Sequence, residues 1–293
     1  MRIIRSKAAL AFTAMALTLT ACGGSSSSTP DVEVVDNPEF AAGTTMAKLS
    51  EAGSIKVGTK YDQPGFGLVG LDDELQGFDV EVAKIIAGAL GITPENVEFS
   101  PATSDIREQV IEDSAVDMVV ATYTINDERA QRITFAGPYY TAGQQLMVKS
   151  DNDAINGPED LNDPGITVCS VTGSTPSEQI KEYLADESQL VLFDIYDKCA
   201  ESLANGQVDV VTTDNVILLG FVTKSDGDFK LVGDQFTDEP YGIGIAKGDV
   251  EFCQFINETL AANEEAYTAA WEATAGQNEG TETPTLPEPG ECK

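Results

Sequence analysis

Three cations stand out in an acidic chain: Lys60 in "GTKYDQPGFG", Arg107 in "TSDIREQV" and Arg129 in "ATYTINDERA". Arg129 follows Thr122 and Thr124, where a strand runs into a helix and free backbone N–H groups accompany the hydroxyls. A guanidinium fork beside such donors suits a carboxylate. The plainer reading of Arg129 is a surface helix arginine paired with a nearby acid. In "VTGSTPSEQI", Ser174 and Thr175 stand just before a helix, as a second anion seat or simply as its cap. Asp214 ends the buried run "VVTTD" and offers an acceptor for an ammonium group, unless it is a turn aspartate. Carboxylate seats and an ammonium acceptor are together the partners that a free amino acid requires.

The side chain of such a ligand needs its own partner. Arg107 and Lys60 are the candidates for a distal carboxylate, and each has the alternative reading of a solvated surface cation. Tyr61 and Phe66 are either aromatic lids on the ligand's aliphatic part or local loop packing, while the role of Tyr123 stays open. The sequence contains no histidine, which excludes Ser-His-Asp and Cys-His catalysis and the commonest transition-metal ligand. No catalytic residue, metal or cofactor is expected.

The chain begins "MRIIRSKAALAFTAMALTLTAC", with Arg2, Arg5 and Lys7 ahead of an apolar stretch ending in small residues, the form of a secretory signal over residues 1–21. "LTAC" resembles the bacterial lipoprotein box, which implies lipidation of Cys22 and a flexible tether, 22–45, that begins "GGSSSSTP". The expected location is extracytoplasmic, anchored to the cell membrane. Without the three leader cations, 14 basic residues face 49 acidic ones, a net charge of −35. Nucleic acid and anionic membrane surfaces are poor partners for such a field. Any anion site must therefore be built locally from a few cations. A monomer is expected.

Beyond Cys22 four cysteines remain, and three pairings are possible. An oxidising compartment favours two disulfides. Cys169–Cys199 and Cys253–Cys292 are the preferred pairs, since each closes one compact segment and the second staples the Pro-rich tail. A zinc site competes, without any CxxC spacing to support it.

The elements that position these residues alternate strand and helix, the pattern of an α/β fold. "SIKVGT", "NVEFSPA" and "VDMVVATY" read as strands, with "FDVEVAKIIAGALG" and "SDIREQVIEDSA" as helices, the second capped by Ser104. A second set follows: "GITVCSV", helix "PSEQIKEYLADE", "LVLFDI", helix "DKCAESLANG" and "VDVVTTD". The repeated order, with a "VDxVV"-like strand closing each half, predicts two similar lobes around a ligand cleft. Strand "YGIGIAKG" and two helices come last, so the chain crosses twice, near Thr141–Gln144 and Pro240–Gly242. The expected division is 46–141 with 242–275 for the first lobe, 142–241 for the second, and an extended tail, 276–293.

"GFDVEVAKIIAGAL" resembles the signature of bacterial extracellular solute-binding proteins of family 3, polar amino-acid receptors of ABC importers, and the similarity extends over roughly Leu49 to Trp271. "GTKYDQPGFG", "VDMVVATYTINDERAQRITFAGPYY" and "VVTTDN" are most similar to glutamate-binding lipoproteins of actinobacteria. The resemblance implies a type II periplasmic-binding-protein fold that closes on one amino acid and docks to a membrane permease. It also implies α-carboxylate partners at Thr122, Thr124 and Arg129, completed by Gly173, Ser174 and Thr175, an ammonium partner at Asp214, and an arginine near Arg107 in acidic-amino-acid receptors. Glutamate is the expected ligand, with aspartate and glutamine as rivals. A dehydratase or a ligand sensor on the same scaffold is the further alternative.

Overall fold

A computed structural model describes residues 32–293; the signal segment, Cys22 and the serine-rich stretch lie outside the described residues. Two five-stranded sheets carry the fold. The first runs in the order Val97–Pro101, Ile55–Thr59, Met118–Thr124, Glu239–Ile245, Thr134–Ala142. Its first three strands are parallel, and Glu239–Ile245 is inserted antiparallel to both neighbours. The second runs Leu190–Phe193, Val168–Val171, Val210–Asp214, Gln144–Lys149, Phe229–Val232, again with three parallel strands at one side. Every residue of Met118–Thr124 and of Val210–Asp214 is buried, as expected of strands covered on both faces.

Gly143 alone separates Thr134–Ala142 of the first sheet from Gln144–Lys149 of the second. The chain returns with Glu239 already paired to Ala142, slightly before the 240–242 crossing expected from the sequence. The two connections therefore lie side by side, as a hinge between lobes requires.

Helix Phe78–Ala89 buries ten of its twelve residues rather than a single stripe. The reason is the segment before it: the Val35 N–H bonds the Gly88 carbonyl, and a methyl on Gly88 would collide with the Glu33 carbonyl oxygen. Phe40 meets Phe255 edge to face at 5.5 Å. The stretch from Val32 to Thr44, expected as part of a free tether, thus lies against the first lobe because its apolar residues cover that helix and its neighbours.

The helix expected from Ser104 is shorter, Arg107–Glu112, because Thr103–Ile106 form a turn in which the Ile106 N–H bonds the Thr103 carbonyl. Ser104 is not its cap; the hydroxyl accepts from Lys60 Nζ at 2.8 Å. The helix begun by "PSEQ" covers only Thr175–Gln179, capped by Ser174, before tightening into the 3-10 turn Ile180–Tyr183. Cys169 is bonded to Cys199 and Cys253 to Cys292. The latter holds a tail without helix or strand beyond Gln277, whose Leu286 packs on the first lobe's core.

Candidate functional site

The ends of the central strands of both sheets face one another across a narrow cavity with a free volume of about 10 Å³. Gln63, Ser104, Arg107, Thr122 and Thr124 line it from the first lobe. Ser174, Thr175, Tyr196, Thr213 and Asp214 line it from the second. Such a volume is room for about one water, so the lobes stand closed over the site and must part to admit a ligand.

Thr122 has a left-handed backbone, φ +44°, inside a buried strand. The cause lies in helix Phe78–Ala89, where the Asp79 carboxylate accepts the Thr122 N–H at 2.8 Å and the Tyr139 hydroxyl at 2.6 Å. Burial pushes Asp79 up to about 7, against the pull of those two hydrogen bonds. The kink turns the Ala121 and Thr122 carbonyls toward Arg107, whose Nη1 donates to them at 2.9 and 3.3 Å. Arg107 is 2% exposed, and its Nε has no hydrogen-bond partner among the described residues.

Lys60 is 4% exposed and donates to Ser104. Burial first, and the Arg107 charge second, lower it to about 7. Neither Lys60 nor Arg107 makes a salt bridge among the described residues. Arg129 differs, because its Nε lies 3.2 Å from Glu108 Oε1. Its Nη1 donates to the Thr124 carbonyl at 2.7 Å, and its Nη2 reaches across the cleft to the Gly173 carbonyl at 2.9 Å. Burial, then the Arg107 charge, lower it to about 10.

On the opposite wall Asp214 is 3% exposed. Its Oδ2 accepts the Tyr241 hydroxyl at 2.6 Å, while Oδ1 has no hydrogen-bond partner among the described residues. Burial, then the neighbouring Glu239 charge, push it up to about 8. A cation beside Oδ1 would reverse both effects.

Six of the ten candidates from the sequence therefore line one cavity: Arg107, Thr122, Thr124, Ser174, Thr175 and Asp214. Arg129 lines the wider mouth that adjoins it, and Lys60 stands behind Ser104. Two candidates fall elsewhere. Phe66 is fully buried in an aromatic cluster, edge to face with Phe78, Tyr140, Tyr241 and Trp271 at 6.1 to 6.3 Å, so it is loop packing and not a lid. Tyr61 is half-buried and lines neither the cavity nor its mouth.

Gln63, Ser104, Tyr196 and Thr213 are cavity residues that sequence reasoning missed. Tyr196 begins the helix after strand Leu190–Phe193, so the rule that ligands sit at strand C-terminal ends would have found it. No group of His, Cys, Asp and Glu among the described residues is placed to hold a metal ion, and no described helix is long and apolar enough to cross a membrane.

Comparison with known proteins agrees with this architecture. Residues 55–270 match the bacterial extracellular solute-binding proteins, family 3. The glutamate-binding protein GluB of Corynebacterium glutamicum is 41% identical over 266 residues, covering 87% of this chain and 84% of its own. A glutamine-binding protein of Geobacillus stearothermophilus is 34% identical over 243 residues, covering 82% of this chain and 91% of its own. Among solved structures, an ancestral arginine-binding protein bound to glutamine superposes with a TM-score of 0.71 at 35% identity, covering 77% of this chain and 99% of its own. The chain belongs to the bacterial extracellular solute-binding proteins of family 3, with the two-lobed type II fold of amino-acid receptors.

Proposed function

We propose that this protein captures L-glutamate outside the cell, anchored through a lipid on Cys22, and hands it to the permease of an ABC importer. One observation carries the choice of ligand: Lys60 and Arg107 are buried cations with no carboxylate partner among the described residues. An uncompensated buried charge costs several kcal/mol, and a dicarboxylic ligand offsets that cost where an amide does not. In this reading Arg129 and Thr124, with Ser174 and Thr175 across the cleft, hold the α-carboxylate. Asp214 Oδ1 accepts the α-ammonium, and Arg107 with Lys60 holds the distal carboxylate. The name of the C. glutamicum relative supports glutamate, and that of the G. stearothermophilus relative keeps glutamine as the rival. Aspartate, one methylene shorter, is expected to bind roughly 10- to 200-fold more weakly. The protein binds and releases its ligand unchanged, as a monomer.

Calorimetry of the mature protein against glutamate, aspartate and glutamine tests the assignment. Arg107→Ala is expected to weaken glutamate far more than glutamine. Equal losses for both ligands would remove Arg107 from the distal carboxylate, and no heat with any acidic amino acid would end the glutamate reading.

A further inference from the structure

Tyr123 does not line the cavity, yet it touches both arginines of the site. It stands between Thr122 and Thr124 on strand Met118–Thr124 and is fully buried. The Arg107 guanidinium carbon lies 4.1 Å from the centre of its ring, and that of Arg129 lies 5.2 Å away. Phe135 holds the ring edge to face at 4.9 Å. Gly244 on the neighbouring strand makes the room: a methyl there would stand 2.9 Å from Tyr123 Cε1. Two helices and two strands thus converge on one ring.

Two guanidinium groups in one buried site repel, and the lowering of Arg129 by the Arg107 charge is that repulsion. An aromatic ring attracts a cation through its quadrupole, most strongly where both are desolvated. We propose that Tyr123 is a positioning residue for ligand recognition: its ring holds Arg107 and Arg129 together, so that the cleft presents one guanidinium to each carboxylate of a dicarboxylic amino acid. This rests on the glutamate reading above.

The two arginines do not depend on the ring equally. Arg129 keeps the Thr124 carbonyl, the Gly173 carbonyl and Glu108 whatever occupies position 123. Among the described residues Arg107 has only two carbonyls, both on Nη1. Loss of the ring therefore falls on Arg107, and so on the distal carboxylate rather than on the α-carboxylate.

The test is calorimetry of Tyr123→Leu and Tyr123→Phe with glutamate and glutamine at fixed pH and salt. Tyr123→Leu is expected to weaken glutamate about tenfold or more and glutamine by no more than about threefold, from loss of a desolvated cation–π contact. Tyr123→Phe keeps the ring and is expected to restore the wild-type ratio of the two affinities. An unchanged ratio in Tyr123→Leu, or a Phe variant as poor as the Leu variant, overturns the proposal. Should the Leu variant not fold, Gly244→Ala pushes on the same ring, and it must lower the ratio in the same direction or the proposal fails. Wild-type protein that binds no glutamate overturns the ligand and the platform together. Wild-type binding with an unmoved ratio in the variants overturns the platform alone.

Discussion

Lys60 makes the glutamate reading sensitive to pH in a way that can be worked out beforehand. Burial and the Arg107 charge lower it to about 7. Its ammonium has one hydroxyl partner, Ser104 at 2.8 Å. A ligand carboxylate nearby favours the charged form and raises the pKa again, so glutamate binding takes up a proton wherever the free protein has lost it. The sign follows: the Lys60 contribution to glutamate affinity falls as pH rises through 7. Between pH 6 and pH 8 the charged fraction of Lys60 drops from about 90% to about 10%, close to tenfold or about 1.4 kcal/mol. Asp214, raised to about 8, acts in the opposite direction by ionising over the same range. It meets the α-ammonium, which glutamate and glutamine share, so its effect cancels in the ratio of the two affinities.

The glutamate preference over glutamine is therefore expected to fall about tenfold from pH 6 to pH 8. It becomes flat in Lys60→Met. Calorimetry in two buffers of different ionisation enthalpy at pH 7 adds a second reading, in which glutamate takes up about half a proton more than glutamine. A preference that stays within about twofold across this range in the wild type, or rises with pH, refutes the placement of Lys60 beside the distal carboxylate.

Asp214→Asn removes the charge opposite the α-ammonium and is expected to weaken glutamate and glutamine alike, by about 2–4 kcal/mol in calorimetric affinity. Phe66→Ala is expected to cost about 3–5 kcal/mol of stability by denaturant unfolding while leaving the glutamate-to-glutamine ratio unchanged, because the ring fills the core and not the cavity. Cys292→Ser opens a loop with a sequence separation of 39 and is expected to lower stability by up to about 4 kcal/mol, read as a lower melting temperature, with little effect on affinity.

What the sequence made legible depended on how local the physics was. The buried strand "VDMVVATY" and the Ser174 cap are set by residues close together in the chain, and each stands where its pattern put it. Asp214 was readable as well, because a lone acid closing an apolar run needs a reason. Phe66 was not: an aromatic in a glycine-rich loop has the same pattern whether it meets a ligand or Trp271, and the partner that decides is 205 positions away (66 to 271). Helix Arg107–Glu112 came out shorter than expected because Thr103–Ile106 close a turn before it. The kink at Thr122 was invisible, since a β-branched residue in a buried strand gives no sign that Asp79 holds its N–H. Gln63 lines the cavity from the short strand Asp62–Gln63, where its own sequence gives no sign of a ligand.

The contacts between the lobes explain why a ligand is needed to balance closure. Arg129 reaches the Gly173 carbonyl, the Thr175 hydroxyl lies 3.2 Å from that of Thr124, and the Asp62 carboxylate accepts the Tyr196 N–H at 2.7 Å. With the Tyr241 hydroxyl on Asp214 Oδ2, four such hydrogen bonds contribute about 1 kcal/mol each, somewhat more where one partner is charged, or about 4–7 kcal/mol together. Against them stand Lys60 and Arg107, both buried without a carboxylate, and Asp214 with an oxygen unpaired, each costing on the order of several kcal/mol. Together these costs exceed the hydrogen-bond gain, so these contacts alone do not hold the lobes shut. A ligand carrying two carboxylates and one ammonium relieves all three buried charges at once, and it does so only when both walls are in place. An amide ligand relieves fewer of them. The charges that make the empty closed form costly are thus the same ones that select the ligand, and selectivity and closure are one free energy read at two places.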